Sequence, residues 1–406
     1  MAAQPPAGDP APADGSLPEP ALERLGAAPF GIYVHVPFCQ TRCGYCDFNT
    51  YTATELGGGA SRESYAALAI GEVRLAAKVL AGRTGPVQTV FFGGGTPTLL
   101  PPADLTAILA AIDGELGLAD GAEVTAEANP ETVDERVLAQ LRAGGFTRIS
   151  LGMQSAVPHV LTVLDRVHRP GRPERCAGWA RAAGFDRVSL DLIYGTPGES
   201  DADWERSLDC ALSAGPDHIS AYSLIVEEGT RLAARIRRGE LPMPDDDVLA
   251  DRYVIADERL GAAGMTWYEV SNWAVSAESA CRHNQLYWTG GDWWGIGPGA
   301  HSHAGGTRWW NVRHPAAYAQ RITAGLSPAQ AREVLTAAEQ ATERIMLATR
   351  LASGCPVTEL SAAGRAAARR AVADGLASGP ALDAGSVRLT RQGRLLADAV
   401  IRDLTD

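Results

Sequence analysis

From Phe30 onward the sequence alternates short apolar runs with longer helix-like segments, and this pattern limits the fold more than any other feature. Strand-like cores fall at residues 32–36, 87–92, 123–126, 148–151, 188–193 and 218–224, and a helix candidate follows each one. Parallel neighbours need a crossover of a dozen or more residues, so the spacing predicts six βα units and excludes a chain of hairpins. Local self-similarity supports the count. Gly145-Phe146-Thr147-Arg148-Ile149-Ser150, Gly184-Phe185-Asp186-Arg187-Val188-Ser189 and Gly215-Pro216-Asp217-His218-Ile219-Ser220 repeat one helix-end-to-strand transition. The glycine in each suits a helix C-terminal cap. Six such units fit a partial, laterally open α/β barrel.

The unusual polar residues gather at one edge of that expected sheet. Cys39, Gly93 to Thr96, Glu127, Gln154, Asp191 and Tyr222 lie at or just beyond the strands' C-terminal ends. In barrels and open α/β sheets this edge carries the active site. Cys39, Cys43 and Cys46 crowd into eight residues, whereas Cys176, Cys210, Cys281 and Cys355 stand alone. A structural zinc site closes on four protein ligands, and only His35 lies near enough in sequence to complete one here. An iron-sulfur cube held by three cysteines instead keeps one iron open. The run Gly93-Gly94-Gly95-Thr96-Pro97 follows the apolar Val90-Phe91-Phe92, where a turn without Cβ atoms lets backbone approach a ligand. Gly57-Gly58-Gly59, by contrast, sits in an ordinary polar stretch.

The spacing Cys-x3-Cys-x2-Cys resembles the signature of radical S-adenosylmethionine (SAM) enzymes. With it, the segments Tyr33 to Cys39, Gly93 to Thr98, Ser150 to Gln154 and Asp191 to Gly195 resemble the oxygen-independent coproporphyrinogen III oxidase family, over about Phe30 to the C-terminus. The resemblance implies a partial (β/α)6 radical SAM barrel with a 4Fe-4S cluster on Cys39, Cys43 and Cys46, the amino and carboxylate groups of SAM taking the fourth iron. It also implies a SAM pocket lined by Tyr33, Tyr45, Gly94, Gly95, Thr96, Glu127, Gln154, Arg166 and Asp191. SAM offers hydroxyls, an ammonium and a carboxylate, and acids, an amide and an arginine are apt partners for these. One position separates subfamilies: Phe48 stands where the true oxidase carries a further cysteine. Tyr45-Cys46-Asp47-Phe48 instead resembles the HemW branch, whose members are haem chaperones.

Seven of the nine tryptophans (Trp267, Trp273, Trp288, Trp293, Trp294, Trp309 and Trp310) lie close to His283, His301 and His303. Aromatic faces stack on a porphyrin, and a neutral imidazole ligates haem iron. His283, Asn284, Tyr287 and Trp288 resemble the His-Asn-x-x-Tyr-Trp motif of the HemW branch, which implies a haem site there. Cys281 and the other histidines stay open as axial ligands. So does a purely structural role, with the aromatics plugging the barrel's open side.

The expected organisation is a disordered Pro/Ala-rich tail at residues 1–28, the barrel at 29–230, an extension with the aromatic segment at 231–325, and a C-terminal winged-helix-like domain at 326–406. Arg365, Arg369 and Arg370 share a helix there, but a net charge of −12 argues against nucleic acid or an anionic membrane as partner. No secretory signal or run of about twenty apolar residues is present. Scattered single cysteines point to a reducing, cytoplasmic setting. The expected function is a haem chaperone that carries haem to acceptor haemoproteins, respiratory enzymes among the options. Oxidative decarboxylation of coproporphyrinogen III is the alternative, and whether SAM is cleaved stays open.

Overall fold

The computed structural model describes residues 8–56, 60–166 and 168–406; Gly57-Gly58-Gly59 lies outside the described residues. A two-residue strand, β1 (Asp9–Pro10), precedes the six predicted ones: β2 (Phe30–Val36), β3 (Val87–Gly94), β4 (Leu118–Ala128), β5 (Arg148–Gln154), β6 (Arg187–Tyr194) and β7 (His218–Ser223). These six pair in sequence order and all in parallel, as the crossover spacing requires. Their two faces differ sharply. Ile32, Val34, Val90, Phe92, Val124, Ala126, Ile149, Leu151, Val188, Leu190, Ile219 and Ala221 alternate along the strands and are fully or almost fully buried in the main core. The intervening positions carry Tyr33, His35, Thr89, Phe91, Glu123, Thr125, Glu127, Arg148, Ser150, Ser189, Asp191, His218 and Ser220. Successive side chains on a strand point to opposite faces, so these residues line the other side of the sheet. Parallel sheets usually bury apolar residues on both faces. A polar inner face is therefore a departure that calls for a ligand or a network.

The sheet continues past both ends of the parallel set and does not close into a barrel. Beyond β7 come β8 (Thr266–Glu269) and β9 (Asn272–Ala274), with β9 antiparallel to β7. At the other side β10 (Asp292–Ile296) pairs in parallel with β2. It is followed outward by antiparallel β11 (His301–Ala304), β12 (Thr307–Asn311), β13 (Ala329–Val334) and finally β1. The β8 edge is partly covered by the C-terminal part, where Ala352 N–H donates to Tyr268 O at 2.9 Å, which removes an unpaired edge. Within the stretch expected as the C-terminal domain, β13 pairs in this sheet. Helices 337–348, 362–373 and 397–405 and a small strand pair enclose a separate core around Ile345, Ala368, Val387 and Leu404.

Of the tail expected over residues 1–28, the described residues from Gly8 onward pack against the sheet. Asp9 and Pro10 pair with Arg332 and Ala331, and Leu17 and Ala21 are buried. The prolines do break helical and strand periodicity, but an edge strand of two residues tolerates one, and two apolar side chains anchor the rest.

A buried carboxylate ties the antiparallel extension to the first long helix (Arg62–Leu80). Glu72, fully buried, accepts hydrogen bonds from Gly297 N–H at 2.7 Å, Asn311 Nδ2 at 2.7 Å and Tyr318 Oη at 2.6 Å. Burial pushes its carboxyl up to about 7 against these three opposing donors. The folded state therefore holds a proton that the unfolded chain releases above 4.5, and stability falls as pH rises from there to about 7. Glu72→Ala should cost about 3 kcal/mol by stranding buried donors. Glu72→Gln should flatten the fall in melting temperature between about pH 5 and about pH 8; an unaltered slope in thermal melts would contradict this.

Candidate functional site

The cysteine loop leaves the C-terminal end of β2 and is locked to the glycine turn by backbone alone. Gly95 N–H donates to Val36 O and Thr96 N–H to Phe38 O, both at 2.8 Å. A Cβ on Gly95 would lie 2.5 Å from Phe38 O, and Gly94 has φ +106°, a conformation natural only to glycine. The loop then doubles back, with Cys39 N–H on Tyr51 O at 3.0 Å and Tyr51 N–H on Pro37 O at 2.7 Å. Its middle is gripped from outside. Gly44 N–H donates to Leu164 O at 3.2 Å, and Leu232 N–H donates to Gly44 O at 2.8 Å. The two glycine-bearing motifs thus share one physical purpose, to let the cysteine loop sit on neighbouring backbone.

The three thiols are half-buried and free. Burial raises Cys39, and raises Cys46 to about 11, so both keep their protons until a metal takes the sulfur. Arg166 reaches Cys43 Sγ with Nη1 at 3.5 Å and donates to Gly152 O with Nη2 at 3.0 Å, supplying positive charge beside the sulfurs. Among the described residues no group of three His, Cys, Asp or Glu side chains is assembled to hold a metal ion. The fit to a cluster accordingly rests on the donor set: three unpaired thiols on one loop beside a buried guanidinium.

Of the residues expected to line a SAM pocket, Glu127, Asp191, Gln154 and Tyr33 lie on the strands β4, β6, β5 and β2 beside this loop. Glu127 Oε2 accepts from Gly94 N–H at 3.2 Å. Burial, with Asp191 adding repulsion, pushes the Glu127 carboxyl up to about 8. Asp191 is raised by burial and accepts from Ser150 Oγ at 3.0 and 2.9 Å. Gln154 ends β5 at φ +65° where the register with β6 shifts, which turns it toward Gly152. Strain in a non-glycine residue at a strand end marks a position held by its surroundings. Tyr33 Oη pairs with His35 Nδ1 at 3.0 Å, and His35 Nε2 with Asn49 O at 2.9 Å.

The expected haem residues lie elsewhere. His283 is 1 % exposed, and its Nδ1 pairs with Thr89 Oγ1 and its Nε2 with Tyr287 Oη, both at 2.8 Å. It stacks on Phe91 with centroids 5.2 Å apart, and burial lowers it to about 3. Thr89 is near the start of β3 and Gly94 at its end, so His283 sits by the N-terminal ends of the parallel strands, roughly 16 Å along the strand from the glycine turn. As placed here, neither ring nitrogen is free for iron. Asn284 Nδ2 reaches Glu269 Oε1 at 3.4 Å, and Trp288 is half-buried. Cys281 is buried beside Glu123, its Sγ 3.6 Å from Oε1. Trp294, Trp309 and Trp310 are buried in the antiparallel extension, and Trp273 on β9 packs against Tyr253.

Several functional-looking residues escaped the sequence reading. Arg148, 2 % exposed, faces Glu123 at 3.8 Å and donates to Ser279 O at 2.8 Å. His218 joins Ser189 at 2.7 Å and Tyr268 Oη at 2.8 Å. Asn49 Nδ2 holds Pro298 O and Arg313 O, each at 2.9 Å, and so ties the cysteine loop to the antiparallel extension. The signal for Arg148 and His218 was present: polar residues at every second position of otherwise apolar strands. Asn49 offered none.

Three comparisons bear on this geometry. The model of the radical SAM superfamily matches residues 33–211. A protein of Mycobacterium tuberculosis named heme chaperone HemW is 53% identical over 387 residues, 95% of this chain and 97% of that one. The heme chaperone HemW of Synechocystis is 36% identical over 343 residues, 82% of this chain and 80% of that one. In fold, the coproporphyrinogen III oxidase HemN of Escherichia coli superposes with a TM-score of 0.80 at 22% identity, covering 95% of this chain and 92% of that one. Gly95→Ala should push the cysteine loop off its backbone anchor, cost about 2 kcal/mol and weaken SAM binding in calorimetric titration. Wild-type affinity in a folded Gly95→Ala protein would contradict the lock.

Proposed function

The chain belongs to the radical SAM superfamily and, within it, to the HemW family, and from that premise we propose that it is a haem chaperone which binds haem and passes it to acceptor haemoproteins. The observation that carries this reading is the 53% identity, spread over nearly the whole of both chains, with a heme chaperone. Superfamily membership implies a 4Fe-4S cluster and SAM. Three cysteines on such a cluster leave one iron open for the amino acid moiety of SAM.

The residues have distinct tasks in this proposal. Cys39, Cys43 and Cys46 hold the cluster, and Arg166 offsets the negative charge their thiolates bring. The Gly93 to Thr96 turn presents backbone to the SAM methionyl group. Glu127, Asp191 and Gln154 orient its polar groups, while Tyr33 and Tyr45 narrow the opening. Asp191 is kept in place by Ser150, and Glu127 by the Gly94 amide. A carboxyl set at about 8 is mostly protonated near neutrality, so Glu127 donates as well as accepts toward a hydroxyl.

Phe48 is the residue that separates this chain from the oxidase. It supplies no sulfur, and its ring is 59 % exposed on the cluster loop. Among the described residues no helix is long and apolar enough to cross a membrane. All seven cysteines are unpaired, which supports a reducing cytoplasmic location.

Anaerobic analysis of the reconstituted protein should find about four iron and four sulfide per chain, with haem bound in addition. Cys43→Ala should lose the iron. Assayed with coproporphyrinogen III, SAM and a reductant, the protein should form no protoporphyrinogen. Formation of that product with stoichiometric SAM cleavage would replace the chaperone reading by the oxidase one.

A further inference from the structure

An iron-sulfur cluster on Cys39, Cys43 and Cys46 has to reach thiols on a loop that is fastened by its root to the glycine turn. A cavity of about 630 Å³ lies between the outer part of this loop and helix Arg231–Arg237. That is within the ordinary size of small-molecule sites. Its described lining takes in Cys43 and Cys46, but not Cys39 and no residue of the glycine turn. We propose that this cavity is the port through which a preassembled, thiolate-ligated 4Fe-4S cluster enters, captured by Cys43 and Cys46 before Cys39. The proposal rests on the cluster that the superfamily reading assigns to these cysteines, and it does not depend on haem.

The order of capture follows from how the loop is held. Cys39 belongs to the root, where its N–H donates to Tyr51 O at 3.0 Å and the neighbouring Phe38 O takes Thr96 N–H at 2.8 Å. Cys43 and Cys46 belong to the outer turn. Cys46 N–H donates to Cys43 O at 3.3 Å, which keeps the two residues together as a pair, and Leu232 N–H on Gly44 O at 2.8 Å sets the helix beside them as the outer wall. Two residues beyond Leu232, Ala234 lines the cavity with no more than a methyl group. The passage to the two sulfurs is therefore wide, whereas the third sulfur lies behind them.

Capture is ligand exchange, and no electron changes hands. Each cysteine sulfur forms a bond to iron as the bond from iron to a donor thiolate breaks, and the cysteine proton goes to the departing thiolate. One donor thiol is released for every cysteine that binds. A cubane with a thiolate on every iron is an anion, because the ligand charge outweighs that of the core. Arg42 on the loop and Arg231 on the helix both line its path. Arg42 meets Glu55 at 3.3 Å and Arg231 meets Asp165 at 3.1 Å, in pairs whose arginine side chains are 41 and 62 % exposed. Exposed pairs are weak, and a guanidinium has five donors, so both arginines retain capacity for a passing anion. Asp47 and Glu55 share the lining, which keeps the help from charge modest and leaves the width of the passage as the main determinant of rate.

The test is anaerobic uptake by the full-length, cluster-free protein from the synthetic 4Fe-4S complex of 2-mercaptoethanolate. The complex is achiral, so visible circular dichroism appears only as the cluster enters the protein. Ala234→Trp should slow uptake about tenfold or more, yet reach the wild-type final spectrum. Arg231→Gln should slow it severalfold and leave uptake from ferrous iron and sulfide unslowed, since there the incoming metal is a cation. Cys39→Ala should keep the wild-type initial rate and release one donor thiol fewer, whereas Cys43→Ala should lose most of that rate. Wild-type uptake by a folded Ala234→Trp protein, or Cys39→Ala slowed as much as Cys43→Ala, would overturn the port. A wild type that takes up no cluster from either source would instead overturn the cluster assignment itself.

Discussion

Six parallel strands bury apolar side chains on one face only, and the rest of the molecule follows from that asymmetry. On the helix-covered side, Ile32, Val90, Val124, Ile149, Leu190 and Ile219 form one continuous core. On the other side the strands carry carboxylates, arginine, histidine, serine and tyrosine into a space that excludes much of the water. Groups in such a place are stable only when paired or neutralised. The observed arrangement does both: Arg148 faces Glu123, Asp191 takes two contacts from Ser150, and Glu127 is pushed up to about 8 by burial. A polar interior of this kind spends stability that a second apolar face would have supplied, and a ligand with several polar groups recovers part of it.

The upper rim depends on a second constraint, the approach of the cysteine loop to the glycine turn at backbone distance. Both segments leave adjacent strands at their C-terminal ends, and the Gly95 and Thr96 amides fasten one to the other. Asn49 then ties the far end of the loop to Pro298 and Arg313, and through its carbonyl to His35. The loop that presents the thiols is therefore fixed at its exit from β2, in its middle by Gly44 and at its return by Asn49. The antiparallel extension has a use here beyond sheet stability, since its turns supply the carbonyls that anchor the loop.

Most of the frame was legible in the sequence because its cause is local. Short apolar runs separated by crossover-length segments admit few topologies, and all six strands fall where the pattern places them. The cysteines and glycines at strand ends were legible for the same reason. Strands β10 to β13 were not legible individually, since their Trp, Gly and His content lacks clean alternation. The tail was misjudged because proline removes periodicity without preventing the burial of Leu17 and Ala21. The role of His283 is not legible in the sequence: a histidine among aromatics is equally apt as a ligand or as a core residue. Its hydrogen bonds to Thr89 and Tyr287, formed across 194 and 4 residues, are visible only in the folded chain.

The central claim is that this radical SAM frame carries haem in order to give it away. The most direct measurement is stopped-flow mixing of the haem-loaded, cluster-reconstituted protein with an excess of an apo haemoprotein, following the Soret band of the acceptor. The account predicts complete transfer to the acceptor with no porphyrin product and recovery of the haem-free protein with its cluster intact. Haem that stays with the protein in the presence of excess acceptor would contradict it.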